Sequence, residues 1–231
     1  MIEFEIRHFE AVLSENFTLA RGFEDLARFK VPLNLDFIPP LQRRRLSRAA
    51  ACAFFLYEKF AFKTPPLLVF SSFAGEVNNC YAMLYELLAQ QPLSPNAFSL
   101  SVLNAPPALM AIRAKNHGEI TAMSANPAFE YALINAYAKL AQSGESREVF
   151  VMSYYEPLAI KGEPEFSMLA CALSLESPNF SLSWRSLENA QDAQNPSEVR
   201  VSELDFLANM LKNSREFCVE AGGLKFEWRK L

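Results

Sequence analysis

Glycine and histidine are scarce in this chain, which has seven glycines and two histidines among 231 residues. The low glycine content and the absence of repeated segments exclude collagen-like and solenoid architectures. The two imidazoles, His8 and His117, leave few candidates for a general base. Both positions are more typical of surface residues than of catalytic ones.

The cysteine pattern disfavours a zinc site. The four cysteines are widely spaced and none belongs to a C-x-x-C pair, so we interpret them as reduced thiols that pack as small apolar residues. They are Cys52, Cys80, Cys171 and Cys218. No other metal or organic cofactor has a signature in the sequence, and none is expected.

Long apolar runs are also missing. The longest, Ala49 to Phe62, contains Glu58 and Lys59 and is shorter than the roughly 20 residues that cross a bilayer, so no membrane span is predicted. The start, Met1 to Glu5, has neither basic residues nor an apolar stretch, which favours a cytoplasmic protein. Half of the residues are apolar, so a globular domain with a sizeable core is expected.

The charge balance gives little support to nucleic-acid binding, because the formal net charge is -4. One basic cluster stands out, formed by Arg43, Arg44, Arg45 and Arg48. These arginines can be the solvated start of a helix. Alternatively, they can bind an acidic partner or a phosphate, since planar guanidinium groups suit phosphate.

Predicted strands and helices alternate through the first two thirds of the chain. Apolar periodicity and the positions of proline and glycine indicate this order: a strand at 2–13, a helix at 41–62, a strand at 67–70, helices at 77–90 and 102–115, a strand at 118–122, a helix at 129–140 and a strand at 148–152. Such alternation predicts a largely parallel or mixed sheet with helices on its faces.

After residue 158 the pattern changes to strands at 166–175 and 180–184, followed by an exposed loop at 188–198 and a helix at 203–211. Two short strands that flank Gly222-Gly223 predict a hairpin. We expect this tail to pair at an edge of the sheet.

The segment Gly118 to Asn126 has the form of a nucleophile elbow without a nucleophile. A short strand leads into a helix start, where backbone N–H groups favour an anion, but the residue there is Met123, which cannot ionise. Ser124 follows and is a candidate nucleophile only if His117 or His8 acts as its base. Glu76, after Gly75, is either a general base or a residue at a helix start.

Four blocks resemble the N-terminal-half ketoacyl-synthase-like proteins, chain-length-factor-like partners in aryl polyene and fatty-acid-type biosynthesis, of the thiolase-like superfamily. The blocks begin with Pro39-Pro40-Leu41-Gln42-Arg43-Arg44-Arg45-Leu46-Ser47 and continue with Phe70 to Glu76, Ser94 to Ala105, and Thr121-Ala122-Met123-Ser124-Ala125. In the last block, active ketosynthases carry a cysteine where this chain has Met123. The resemblance covers about residues 35–158, and Leu103 replaces a histidine of the family.

The resemblance implies an α/β fold: a thiolase-like half fold with a mixed, mostly parallel sheet, helices on its faces and an antiparallel C-terminal extension. We expect a single domain over 1–231, with its core at about 35–158 and edge strands, loop and hairpin at 159–231.

By resemblance, the chain is a noncatalytic subunit, not an enzyme by itself, that pairs with a catalytic β-ketoacyl-ACP synthase or with itself. It lacks the cysteine and the histidine-bearing second half. Its interface would include 105–114 and 120–125. The residues implied at the acyl tunnel or interface are Phe98, Leu103, Asn104, Met110, Ala122 and Met123, and those implied in docking of an acyl carrier protein are Arg43, Arg44, Arg45 and Arg48.

Two alternatives stay open at this point. One is an acyl-binding or carrier-protein-binding protein without a ketosynthase partner. The other is a small hydrolase or acyltransferase that uses Ser124.

Overall fold

A computed structural model of the chain describes residues 1–143, 147–187 and 201–231. The strands are β1 (Ile2–Leu13), β2 (Leu67–Ser72), β3 (Ile120–Met123), β4 (Val149–Tyr155), β5 (Ser167–Ser174), β6 (Phe180–Ser186), β7 (Glu216–Ala221) and β8 (Leu224–Lys230). The α-helices are α1 (Pro40–Arg43), α2 (Arg48–Tyr57), α3 (Val77–Leu88), α4 (Pro95–Leu100), α5 (Ala105–Ala114), α6 (Ala128–Ser143) and α7 (Ser202–Leu211), and a 3₁₀ helix spans Glu24–Phe29. The loop predicted at 188–198 lies outside the described residues.

The strands form one mixed sheet in the order β3-β2-β4-β5-β1-β6-β8-β7. The predicted mixed α/β architecture is confirmed, but the prediction that the sheet is mostly parallel is wrong. In the described part of the chain, only the pairs β2/β3 and β2/β4 are parallel, and the other pairs are antiparallel. Parallel neighbours need crossover helices, which α3 to α6 supply, whereas no helix intervenes between β4 and β5.

The C-terminal extension is antiparallel, as expected, and β6, β8 and β7 form one side of the sheet. The expectation that every strand after residue 158 lies at an edge is wrong for β5. This strand is inserted between β4 and β1, and all of its residues are buried.

Helices cover both faces of the sheet, because alternate strand residues point to opposite sides. Val69 and Val151 face the core under α6 and α7, while Phe70 and Met152 face the core under α2 and α5. These two clusters explain why β2 and β4 are apolar along nearly their whole length.

The single helix predicted at 41–62 is two helices. Ser47 separates them because its hydroxyl accepts the backbone N–H of Ala50 at 3.2 Å and so caps the start of α2. The cap places Arg48 on the first turn of α2, away from α1. No helix in the described ranges is long and apolar enough to cross a membrane.

Candidate functional site

The three parallel strands β2, β3 and β4 end at the same edge of the sheet, which is where α/β proteins place functional groups. β3 is the outermost of them. It pairs with β2 on one side and has no strand on its other side among the described residues. Its four residues are all half-buried.

The predicted strand, turn and helix around Met123 are present. Met123 ends β3 opposite Ser71 of β2, and α6 begins five residues later at Ala128. The exposed Ser124 hydroxyl donates a hydrogen bond to the Phe73 carbonyl at 2.8 Å. That bond ties the turn after β3 to the loop after β2.

Neither histidine is placed to act on Ser124. His117 precedes β3, so it lies at the opposite end of that strand from Ser124. His8 lies on β1, four strands from β3, which corresponds to about 19 Å at the usual strand spacing. Neither imidazole can therefore serve as the base of a Ser124 triad.

A buried polar cluster lies beside this turn and centres on Glu76, which is 6% exposed. The Glu76 carboxylate accepts hydrogen bonds from the Ser47 hydroxyl at 2.6 Å and from Asn79 Nδ2 at 2.5 Å. Its side chain does not cap α3. Glu76 does lie at the start of a helix, as the sequence indicated, but its carboxylate bonds to Ser47, the cap of α2, and to Asn79 within α3.

A second buried carboxylate, Glu156, follows β4 and is 5% exposed. Its Oε1 accepts hydrogen bonds from Arg48 Nη1 at 2.7 Å and from Asn78 Nδ2 at 3.1 Å. Its Oε2 accepts the Tyr154 hydroxyl. Every oxygen of the two carboxylates is thus satisfied within the protein.

The proton affinities in this cluster follow from burial. Burial raises the pKa of Glu76 to about 7, and the nearby Glu156 raises it as well. The hydrogen bonds from Ser47 and Asn79 and the positive charge of Arg48 lower this pKa, but by less. Burial also raises the pKa of the Tyr154 hydroxyl and of the Cys52 thiol, so both stay protonated at neutral pH. Cys52 is therefore the inert core thiol that was predicted.

The four arginines of the basic cluster separate into two pairs. Arg43 contacts Asp36 and the Ile38 carbonyl, both at 3.1 Å, and Arg48 binds the buried Glu156. Arg44 and Arg45 are exposed, and neither has an ion pair in the part of the chain that the structure describes. These two pairs could not be distinguished from local sequence, since Glu156, the partner of Arg48, lies 108 residues away in the chain.

The residues implied at an acyl tunnel occupy different environments. Phe98 on α4 is 64% exposed, whereas Met110 on α5 is 1% exposed inside a core cluster. Leu103 is half-buried against Gly75. Asn104 is exposed at the start of α5, and Ala122 is half-buried on β3.

The structure also has an exposed apolar surface that the sequence interpretation missed. None of the twelve residues of α3 is buried. We call the exposed apolar side chains of α3, of α4 and of the short segment after α4 the α3–α4 surface: Tyr81, Leu84, Tyr85, Leu87, Leu88, Phe98 and Val102. A signal was present, because the apolar residues of α3 fall on more than one face of the helix.

Comparison with solved structures shows the same fold at low sequence identity. A chain of the ketosynthase ApeO in complex with its chain length factor ApeC, from Xenorhabdus doucetiae, is 20% identical, has a TM-score of 0.77, and each chain covers 100% of the other. The ishigamide ketosynthase/chain length factor is 13% identical with a TM-score of 0.62, over 87% of this chain and 85% of that one. A β-ketoacyl synthase from Burkholderia phymatum is 12% identical with a TM-score of 0.57, over 91% and 70%.

No match was found among curated proteins. The pattern of the β-ketoacyl synthase N-terminal domain, in contrast, matches residues 21–229. This match extends well beyond the 35–158 segment that carries the resemblance in sequence and includes most of the C-terminal extension. The chain therefore belongs to the family of β-ketoacyl synthase N-terminal domains.

Proposed function

We propose that this chain is a noncatalytic subunit of the chain-length-factor type. It pairs with a catalytic β-ketoacyl synthase and takes part in elongating an acyl chain, of the aryl polyene or fatty-acid type, on an acyl carrier protein. The observation that carries this proposal is the exposed α3–α4 surface. A second is strand β3, which has no neighbour on its outer side among the described residues.

An exposed apolar surface of this kind is typical of a protein–protein interface. Leu84, Tyr85 and Leu88 are 58%, 69% and 83% exposed, which is costly for side chains of this size unless a partner covers them. The unpaired edge of β3 offers backbone donors and acceptors to a strand of a second subunit. Two of the similar solved structures are ketosynthases with chain length factors, which supports a ketosynthase as the partner.

The noncatalytic role rests on the turn after β3. Met123 occupies the end of the strand, and a thioether can neither be acylated as a cysteine is nor lose a proton. Ser124 has no imidazole beside it. We infer that Met123 fills the space in which an acylated cysteine would lie in an active relative.

The proposed tunnel residues differ in exposure, and this difference indicates which of them can contact a partner. Phe98 is exposed and Leu103 half-exposed, so both can contact a partner's acyl tunnel, whereas Met110 is packed in the core. We therefore propose Phe98 and Leu103 as the wall that limits chain length. Phe98→Ala in the reconstituted pair should lengthen the products, while Met110→Ala should reduce stability without a specific change in length.

For carrier-protein docking, we propose Arg44 and Arg45, since Arg43 and Arg48 are engaged within the chain. Reversing both exposed charges should weaken carrier-protein binding and leave the ketosynthase complex intact. Unchanged carrier binding by the Arg44→Glu, Arg45→Glu double variant would contradict this assignment.

The pairing is tested by co-expression with the ketosynthase encoded nearest to this chain, followed by size-exclusion chromatography with mass analysis. We expect a one-to-one complex that is lost in Leu84→Asp or Leu88→Asp. The matched control is Ile160→Asp, which places the same charge at a residue 72% exposed outside the surface. An acyl-elongation assay of the complex should fail when this chain is absent and should survive Ser124→Ala.

Absence of a complex would overturn the proposal. A monomer that still binds acyl carrier protein would point instead to a carrier-binding protein without a ketosynthase partner. Loss of activity in Ser124→Ala with the complex intact would point to a catalytic role for that serine.

A further inference from the structure

Helix α3 carries most of the α3–α4 surface, yet it has very little packing that could fix its orientation. None of its residues is buried, and within the described ranges its main neighbour is the short helix α4. A helix usually keeps its position by burying an apolar face. Something else must orient α3 in the free chain.

Polar contacts at the first turn of α3 supply that orientation. The Asn78 side chain makes three hydrogen bonds to the segment after β4. Its Nδ2 donates to Glu156 Oε1 at 3.1 Å and to the Pro157 carbonyl at 3.0 Å, and its Oδ1 accepts the Ala159 N–H at 2.9 Å. Because the amide nitrogen and the amide oxygen are both engaged, the side chain has one favourable orientation.

Glu76 joins the same turn to α2. Its carboxylate bridges the Ser47 hydroxyl, which caps α2, and Asn79 of α3. Glu156, which accepts from Asn78, also binds Arg48 on the first turn of α2. The start of α3 is thus bonded to α2 and to the end of β4, both of which belong to the rigid core.

We propose that Glu76 and Asn78 are positioning residues that form an anchor at the start of α3 and hold its exposed face in one orientation for a partner. The anchor is a property of the free chain, whereas its use in pairing rests on the proposed function. Hydrogen bonds that are partly shielded from water give directional restraint that exposed apolar contacts cannot give.

The anchor contains two carboxylates and one cation. The charged or titratable groups that face Glu76 are Arg48 and Cys52 of α2, Tyr154 of β4 and Glu156. Burial raises the pKa of Glu76 from 4.5 to about 7. Because the pKa of Glu76 is raised, its protonation stabilises the anchored arrangement fully below pH 4.5, and this stabilisation is lost as pH rises through 7. Helix α3 should therefore detach from the anchor less often at pH 6 than at pH 8.

Hydrogen exchange of the isolated chain, read by mass spectrometry and corrected for intrinsic rates, tests the anchor without any partner. In Asn78→Ala, the amides of α3 should exchange about tenfold faster, because three hydrogen bonds are lost. Those of α6 should not change. The matched control is Glu86→Ala, an exposed residue of the same helix.

Glu76→Gln supplies a second test that keeps the shape of the side chain. The amide can replace the protonated carboxyl, donating to Ser47 and accepting from Asn79, so the fold should be kept. In the wild type the corrected exchange of α3, relative to that of α6, should rise between pH 6 and pH 8, and in Glu76→Gln this relative rise should disappear.

Unchanged α3 exchange in Asn78→Ala, or a pH dependence that persists in Glu76→Gln, would overturn the proposal. These results are independent of pairing, so failure of the wild type to bind a ketosynthase would refute the proposed function and leave the anchor standing. Where a complex does form, Asn78→Ala should weaken it and Glu86→Ala should not. Equal binding by the two variants would contradict the role of the anchor in presenting α3.

Discussion

Two buried carboxyl groups, Glu130 and Glu203, lie away from the site in the core under α6 and α7. They are 0% and 1% exposed and stand in the first turns of the two helices. Trp228 Nε1 donates to Glu130 Oε1 at 3.2 Å, and the hydroxyls of Ser153 and Ser167 donate to Glu203 at 3.4 and 3.3 Å. Burial raises the pKa of each carboxyl to about 7, so both change charge near neutral pH in the folded chain.

The free energy of unfolding should fall as pH rises from about 4.5 to above 7. In that window the unfolded chain releases the protons of these carboxyls while the folded chain still holds them, so raising the pH favours unfolding. Replacing Glu130 by Gln should remove part of this dependence, on the order of 2 kcal/mol between pH 5 and pH 8. Urea unfolding at the two pH values measures it.

The matched control is Glu3→Gln, which removes an exposed carboxyl. It should leave the difference between pH 5 and pH 8 as in the wild type. An equal effect of the two substitutions would contradict the assignment to Glu130.

The C-terminal hairpin contacts one element of the candidate site. The tip of the β7–β8 turn meets the turn between β3 and α6: a Cβ at Gly222 would lie 2.6 Å from the Asn126 carbonyl oxygen. Gly222 has a φ of +58°, a conformation that other residues adopt at a cost. The hairpin thus supports the turn that carries Met123.

Gly222→Ala should destabilise the chain by roughly 2 kcal/mol or more, because the left-handed backbone costs about 1 to 2 kcal/mol and the new methyl meets a backbone oxygen. Gly223→Ala is the control. Its φ is +76°, but nothing lies within 4 Å of a Cβ built there, so only the backbone cost of about 1 to 2 kcal/mol is expected.

Thermal unfolding of the two variants measures the difference. If Gly222→Ala lowers Tm no more than Gly223→Ala does, the close contact between the hairpin tip and the turn after β3 is contradicted.

At the scale of the whole molecule, Trp228 joins the C-terminal extension to elements that precede it in the chain. Trp228 is 1% exposed, and its ring lies near aromatic rings from β1, α6, β6, α7 and β7. The partners are Phe4, Phe129, Phe180, Phe206 and Phe217, with centroid distances from 5.2 to 6.1 Å. This cluster makes the extension part of the main core.

Trp228→Ala should therefore cost about 3 to 5 kcal/mol, the range for removing a large aromatic side chain from a core. Trp184→Ala is the control, since Trp184 is 40% exposed on β6 and should cost less than about 1 kcal/mol. Chemical denaturation followed by far-UV circular dichroism compares the two. Similar losses would mean that the extension does not share the core.

The local sequence pattern was sufficient to predict most helices and strands and one part of the candidate site. Strand β1, the strand, turn and helix around Met123, and the Gly222-Gly223 hairpin were predicted because they depend on periodicity, glycine and proline, which act over a few residues. The missing nucleophile at Met123 was also evident from the sequence, since ionisation depends on residue type alone.

Tertiary contacts decided the rest. Residues far apart in the chain, such as Arg48 and Glu156, meet only after folding, so the split of the arginine cluster and the anchor of α3 had no local signal. Likewise, apolar residues on more than one face of α3 indicate that the helix is covered, but only the tertiary structure shows that the chain itself does not cover it. The direction of β5 depended on its neighbours β4 and β1, because backbone hydrogen bonds between strands are made with whichever strand the fold brings alongside.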